Sequence, residues 1–142
     1  MKSAALQFHQ IVPTLILIAG GIALVCGIAL YVARRRAANP EAAMIAGPLF
    51  ALNRAFRVAL WSAAGLGLLQ ALLGVVLVTQ GCSPREGLHY VYGLIVLGAV
   101  PVAYVYSDQA NVRRDIIIMS IAAAAVIGAA IRGLATGPGG VC

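Results

Sequence analysis

Long apolar runs separated by short polar stretches set the pattern of this chain. The runs cover residues 11–32, 58–78, 90–106 and 116–134. Each is close to the roughly 20 apolar residues that an α-helix needs to cross about 30 Å of hydrocarbon. The third is the shortest and is predicted to begin a little earlier, giving a helix over 88–106. Little chain is left for anything else. The pattern therefore predicts one integral membrane domain over residues 1–142, an all-α, four-transmembrane-helix up-down bundle. The first run is too long for a signal-peptide core and ends in Arg34-Arg35-Arg36, with no small-residue cleavage site, so helix one is expected to be retained.

Composition agrees with the pattern. The chain is 62% hydrophobic and 10% charged, with a mean hydropathy of +0.97. A water-soluble domain of this size does not hide that much apolar surface. A net charge of +6 invites a nucleic-acid reading, but the distribution argues against it. Arg34, Arg35, Arg36, Arg54, Arg57, Arg113 and Arg114 lie in the two loops of one face, and only Lys2, Arg85 and Arg132 on the other. The bias places the arginine-rich loops in the cytoplasm and both termini on the outer face. It predicts contact with membrane lipid headgroups, a dedicated anionic partner being the alternative. The alanine-, glycine- and arginine-rich composition points to a bacterial cytoplasmic membrane.

Polar and helix-breaking residues refine the helices. Pro13 is expected in the first turn of helix one, where a missing N–H costs little. Gly20, Gly21 and Gly27 allow close helix approach. Asn39-Pro40 ends any continuing helix, and residues 41–56 are mildly amphipathic, suited to the inner interface. Trp61 reads as an interface anchor. Gln70 falls near mid-membrane, so its amide must face the bundle, bonded either to another helix or to a cofactor or quinone. Gly67 and Gly74 share one face, Pro101 is expected to kink helix three, and residues 108–115 read as a tight charged turn. No acid falls inside a predicted span, which argues against a proton or ion transporter.

Three cysteines remain. Cys26 reads as a packing residue. Cys82 and Cys142 are predicted on the outer face, where a disulfide is allowed. A lipid anchor or free thiols are the alternatives.

The chain has two histidines, His9 and His89, each opening an apolar helix at the same predicted face. They stand on helices one and three, which are diagonal in an up-down bundle and so about 12–14 Å apart. Two imidazoles reaching inward, each about 2 Å from a shared iron, span that gap, and axial histidine is a recognised haem ligand. Haem propionates near the outer surface call for a cation. Arg132 is the first candidate and Arg85 the second. Gly93 and Gly74 offer clearance for a flat macrocycle. Zinc is the weaker metal: it takes about four ligands, and His9, His89, Glu86 and Cys82 show no recognised zinc spacing.

The stretch Leu69-Gln70-Ala71-Leu72-Leu73-Gly74, followed by a short loop and Leu88-His89, resembles one four-helix half of the haem A synthase family. Phe8-His9-Gln10 resembles the position of that half's first histidine, and Arg132-Gly133-Leu134-Ala135-Thr136-Gly137 resembles the ending of its last helix. The resemblance implies a four-helix fold with a histidine pair at the outer ends of two helices. The family has two such halves, whereas this chain has one. The catalytic half carries an acid three positions before its first histidine, where this chain has Leu6, and commonly an arginine after it, where this chain has Gln10. The resemblance therefore implies a related haem carrier and not a hydroxylase.

Two functions remain open. One is a small b-type cytochrome, exchanging electrons with a quinol or a neighbouring subunit, within a larger respiratory or photosynthetic complex or as a homodimer. The other is a cofactor-free structural subunit of such a complex. A haem-processing enzyme is disfavoured by Leu6.

Overall fold

A computed structural model describes residues 2–37, 47–107 and 110–137 of the protein. Among these residues the structure is helical and contains no strand. Its elements are α1 (Lys2–Arg36), α2 (Pro48–Thr79), α3 (Leu88–Tyr106) and α4 (Val112–Thr136). All four are long and apolar enough to cross a membrane, their most apolar 18-residue stretches having mean hydropathies of 1.7 to 2.6. Many large apolar side chains face outward, among them Ile11, Ile18, Val25, Leu94 and Val105. That surface suits hydrocarbon, not water.

The core is narrow and built from one stripe per helix. Val12, Ile16, Ala23 and Leu30 of α1 meet Phe56, Leu60 and Ala63 of α2 and Ile116, Met119, Ala123 and Val126 of α4. Val96 and Val100 are the buried contribution of α3. α1 packs most extensively on α2 and also along α4, and α3 packs on α4 and more lightly on α2. α2 and α4 touch only slightly. Small residues let the backbones close in: a Cβ on Gly27 would press into the Ser120 hydroxyl and come to 2.9 Å from the Phe56 ring.

The expected span over 88–106 coincides with α3. The other helices are longer than the apolar runs. α1 begins at Lys2, so His9 stands about two turns inside it and Pro13 is interior, not in the first turn. α2 begins at Pro48, pre-organised at the first helical position. Residues 48–56 are therefore the start of α2 and not a separate interfacial segment, while 41–46 lie outside the described residues. α2 ends on Gly81, whose φ of +84° suits glycine. The Cys82 N–H bonds the Leu77 carbonyl and the Gly81 N–H the Val78 carbonyl, both at 3.0 Å, a Schellman ending.

The largest departure from the sequence reading is at the start of α4. The Asn111 side chain caps the helix by accepting from the Arg114 N–H at 3.2 Å, so α4 starts four residues early. That draws Asp115 out of the expected turn and into the bundle, where it is 1% exposed and paired with Arg57 of α2. Helix α4 thus carries an acid just before its apolar run, and Arg57 is engaged in an internal ion pair. The remaining Asp115 oxygen, Oδ1, is buried without a partner among the described residues. Nearby, Arg35 lies over the Tyr31 ring at 4.7 Å and Arg113 at 5.8 Å.

Candidate functional site: the paired histidines

His9 of α1 and His89 of α3 face each other. Their ring centres are 6.0 Å apart and the ring planes are tilted by 54°. Both side chains are half-buried. His89 is the second residue of α3, whereas His9 lies deeper along α1. The shorter helix therefore begins at the depth at which α1 presents its histidine.

His89 is held by the end of α4. Its Nδ1 lies 3.1 Å from the Gly133 carbonyl oxygen. A carbonyl only accepts, so Nδ1 carries the proton and Nε2 keeps its lone pair. The Thr136 hydroxyl oxygen is 3.4 Å from the same Nδ1 and donates its own proton to the Arg132 carbonyl at 3.0 Å. Thr136 is 5% exposed. Gly137 packs on the ring: a Cβ there would fall 2.9 Å from His89 Cε1. The turn before α3 is tied to the same helix end, the Glu86 N–H donating to the Thr136 carbonyl at 3.3 Å.

His9 is held differently, and the cause is Pro13. In a helix the carbonyl of His9 accepts from the N–H four residues on. That residue is Pro13, which has no N–H. The Gln70 side-chain amide supplies the missing donor, bonding the His9 carbonyl at 3.1 Å. The same nitrogen is 3.2 Å from His9 Nε2. Gln70 thus faces the bundle and bonds a neighbouring helix, as expected of an amide within an apolar helix. Gly74, one turn further along α2, lies against the ring, with an added Cβ at 3.5 Å from His9 Cε1.

The other expected site residues are placed less closely. Gly93 is exposed and a Cβ there would meet no atom within 4 Å, so it does not abut the rings. Arg132 is exposed, with Tyr92 and Glu86 near its guanidinium. Arg85 is exposed in the loop after α2. Cys82 is buried within that loop, and Cys142 lies outside the described residues, as therefore does a Cys82–Cys142 bridge. Gly133 and Thr136 entered the sequence reading only within the resemblance at residues 132–137; their contact with His89 was not anticipated.

The pair can be tested against an iron centre. Two imidazoles on opposite sides of one metal, each about 2.0–2.1 Å away, place their ring centres roughly 6 Å apart. The observed spacing of 6.0 Å fits that geometry. A ligating histidine generally donates its other N–H to a carbonyl or carboxylate, as His89 does to Gly133. Two polar atoms at the site, His9 Nδ1 and Gln70 Oε1, are buried without a partner among the described residues, which is costly in apolar surroundings. Among the described residues no third His, Cys, Asp or Glu joins the pair.

Comparisons of the chain with protein-family models, with curated proteins and with solved structures return no match.

Proposed function

We propose that this protein is a small membrane b-type cytochrome that holds one haem between His9 and His89. The observation that carries the reading is the 6.0 Å spacing of the two imidazoles together with the Nδ1–H of His89 aimed at a backbone carbonyl. The helices run up-down-up-down, with both termini and the histidine pair on the outer face and the arginine-rich loops inside. The membrane is a bacterial cytoplasmic membrane.

In this reading His9 and His89 would hold the haem iron. Gly74 keeps the His9 ring clear of α2, Gln70 fixes the height of His9 along α1, and Arg132 and Arg85 pair with the propionates. A haem held by two histidines would supply one-electron transfer, which makes the protein a carrier and not a hydroxylase. Leu6, apolar where the resembling enzymes carry an acid, supports the same conclusion. The donor and acceptor are a quinol, a second copy of this chain or a neighbouring subunit. The test is the haem content of protein purified gently from its own membrane, with and without His9 and His89.

A second reading, a cofactor-free subunit of a larger membrane complex, is favoured by one observation. Gly21, Gly65, Gly98 and Gly128 each have open space where a Cβ would be. Small residues on an outward face let a neighbouring helix approach closely. Full occupancy of the complex without haem decides for this reading.

A further inference from the structure

The two histidines of the pair are held by opposite logic. His89 has a partner that can only accept, the Gly133 carbonyl at 3.1 Å, and the Thr136 hydroxyl oxygen stands beside it at 3.4 Å. Thr136 has already committed its proton to the Arg132 carbonyl, so towards His89 it too acts as an acceptor. These contacts fix the ring and keep the proton of the bond on Nδ1, which leaves Nε2 as the nitrogen a metal would use. Gly137 packs against the same edge of the ring, with space for no side chain there.

His9 faces a donor instead. The Gln70 amide nitrogen carries two protons. One bonds the His9 carbonyl and the other is directed at Nε2, 3.2 Å away. An Nε2 that accepts from Gln70 has its lone pair engaged, and the proton then resides on Nδ1, which is buried without an acceptor among the described residues. A metal reaching His9 must displace the amide, and the ring gains no carbonyl to strengthen it. Gln70 cannot simply turn away, because its first proton is required by the carbonyl that Pro13 leaves without a donor.

We infer that the two ligands are unequal: His89, positioned by Gly133 and Thr136, is the anchoring ligand of the metal centre, and His9, contested by Gln70, is the exchangeable one. This rests on the haem reading. With haem bound, His89 would hold the group and His9 would be the residue that yields to a small neutral competitor. Gln70 is then a positioning residue that sets how readily His9 lets go.

The experiment uses the full chain in detergent with haem, and carbon monoxide as the probe. His9→Ala is expected to keep most of its haem and to bind carbon monoxide in the reduced state. His89→Ala is expected to lose its haem. The double variant Pro13→Ala, Gln70→Leu keeps the His9 carbonyl paired while removing the competing amide. It is expected to slow carbon monoxide binding about fivefold relative to wild type, the equivalent of roughly one net hydrogen bond. Should His89→Ala fail to fold, that rate decides. Equal haem retention by the two single variants, loss from His9→Ala alone, or an unchanged rate in the double variant overturns the inference while leaving the haem reading intact. Wild-type protein without haem overturns the parent reading. In that event nitrogen NMR of the imidazoles still tests the inequality, which requires His89 to be the Nδ1–H tautomer and fails if the Nδ1 of His89 is unprotonated.

Discussion

The Gln70 side chain donates to the His9 carbonyl at 3.1 Å, replacing the backbone N–H that Pro13 lacks. The contact joins a helix defect to the candidate site. A proline inside α1 frees a carbonyl, a polar residue on α2 must answer it, and the answering amide lands beside the imidazole. The height of His9 against α2 is thereby set by backbone chemistry and not by the imidazole itself.

Replacing Gln70 with Leu leaves that carbonyl unpaired in the bundle and is expected to cost about 1–3 kcal/mol of stability. Pro13→Ala restores an N–H donor four residues after His9 and is expected to recover most of the loss. Thermal unfolding in detergent of the two single variants and the double variant gives the coupling. Additive effects contradict the account.

The pair of Asp115 and Arg57 is expected to tie α4 to α2 at the end opposite the histidines. Breaking it on one side with Arg57→Met strands a carboxylate that is 1% exposed. The expected cost is about 3 kcal/mol, the low end for buried pairs because the Arg57 side chain is 29% exposed. Replacing both residues, Arg57→Met with Asp115→Leu, is expected to be markedly milder. The check is the yield of folded protein and its unfolding midpoint. A double variant as weak as the single would contradict this view.

Glycines at the crossings are expected to differ sharply from glycines on the outside. Gly27→Ala places a methyl group 2.9 Å from Phe56 and against Ser120, and overpacking of that kind costs about 1–3 kcal/mol. Gly65→Ala meets nothing within 4 Å and is expected to leave the unfolding midpoint unchanged or slightly raised, alanine being the better helix former. The same measurement on both variants separates core packing from a general effect on helix propensity.

At the site, Gly137→Ala is expected to disturb and Gly74→Ala to be tolerated. The first Cβ falls 2.9 Å from the His89 ring, and the second reaches an ordinary 3.5 Å contact with His9. Haem content of the two purified variants, with the helical circular-dichroism signal as the control for folding, checks this. Equal haem content in both would sink it.

The sequence pattern made the number of helices legible, together with the extent of α3, because nearly every residue of that helix is apolar and short loops bound it. It understated α1, α2 and α4, because their ends extend into polar residues. Helical hydrogen bonding there continues past the apolar stripe: Asn111 caps α4 before the hydrophobic run starts. That shift hid Asp115, whose burial depends on Arg57 from a distant helix and so leaves no local signal. The proximity of His9 and His89 was legible from topology, since both stand near the same ends of diagonal helices. The bonds that distinguish them were not. Gly133 acts through its carbonyl, which any residue possesses, and Gln70 acts through a defect visible only once Pro13 is known to be interior.

The most direct test of the central proposal is the absorption spectrum of gently purified wild-type protein, oxidised and then reduced with dithionite, beside His9→Ala and His89→Ala. The account predicts a sharp reduced α-band of low-spin haem b in the wild type, its replacement by a high-spin spectrum in His9→Ala, and its loss in His89→Ala. A wild-type protein that is fully folded and shows no haem absorbance would contradict it.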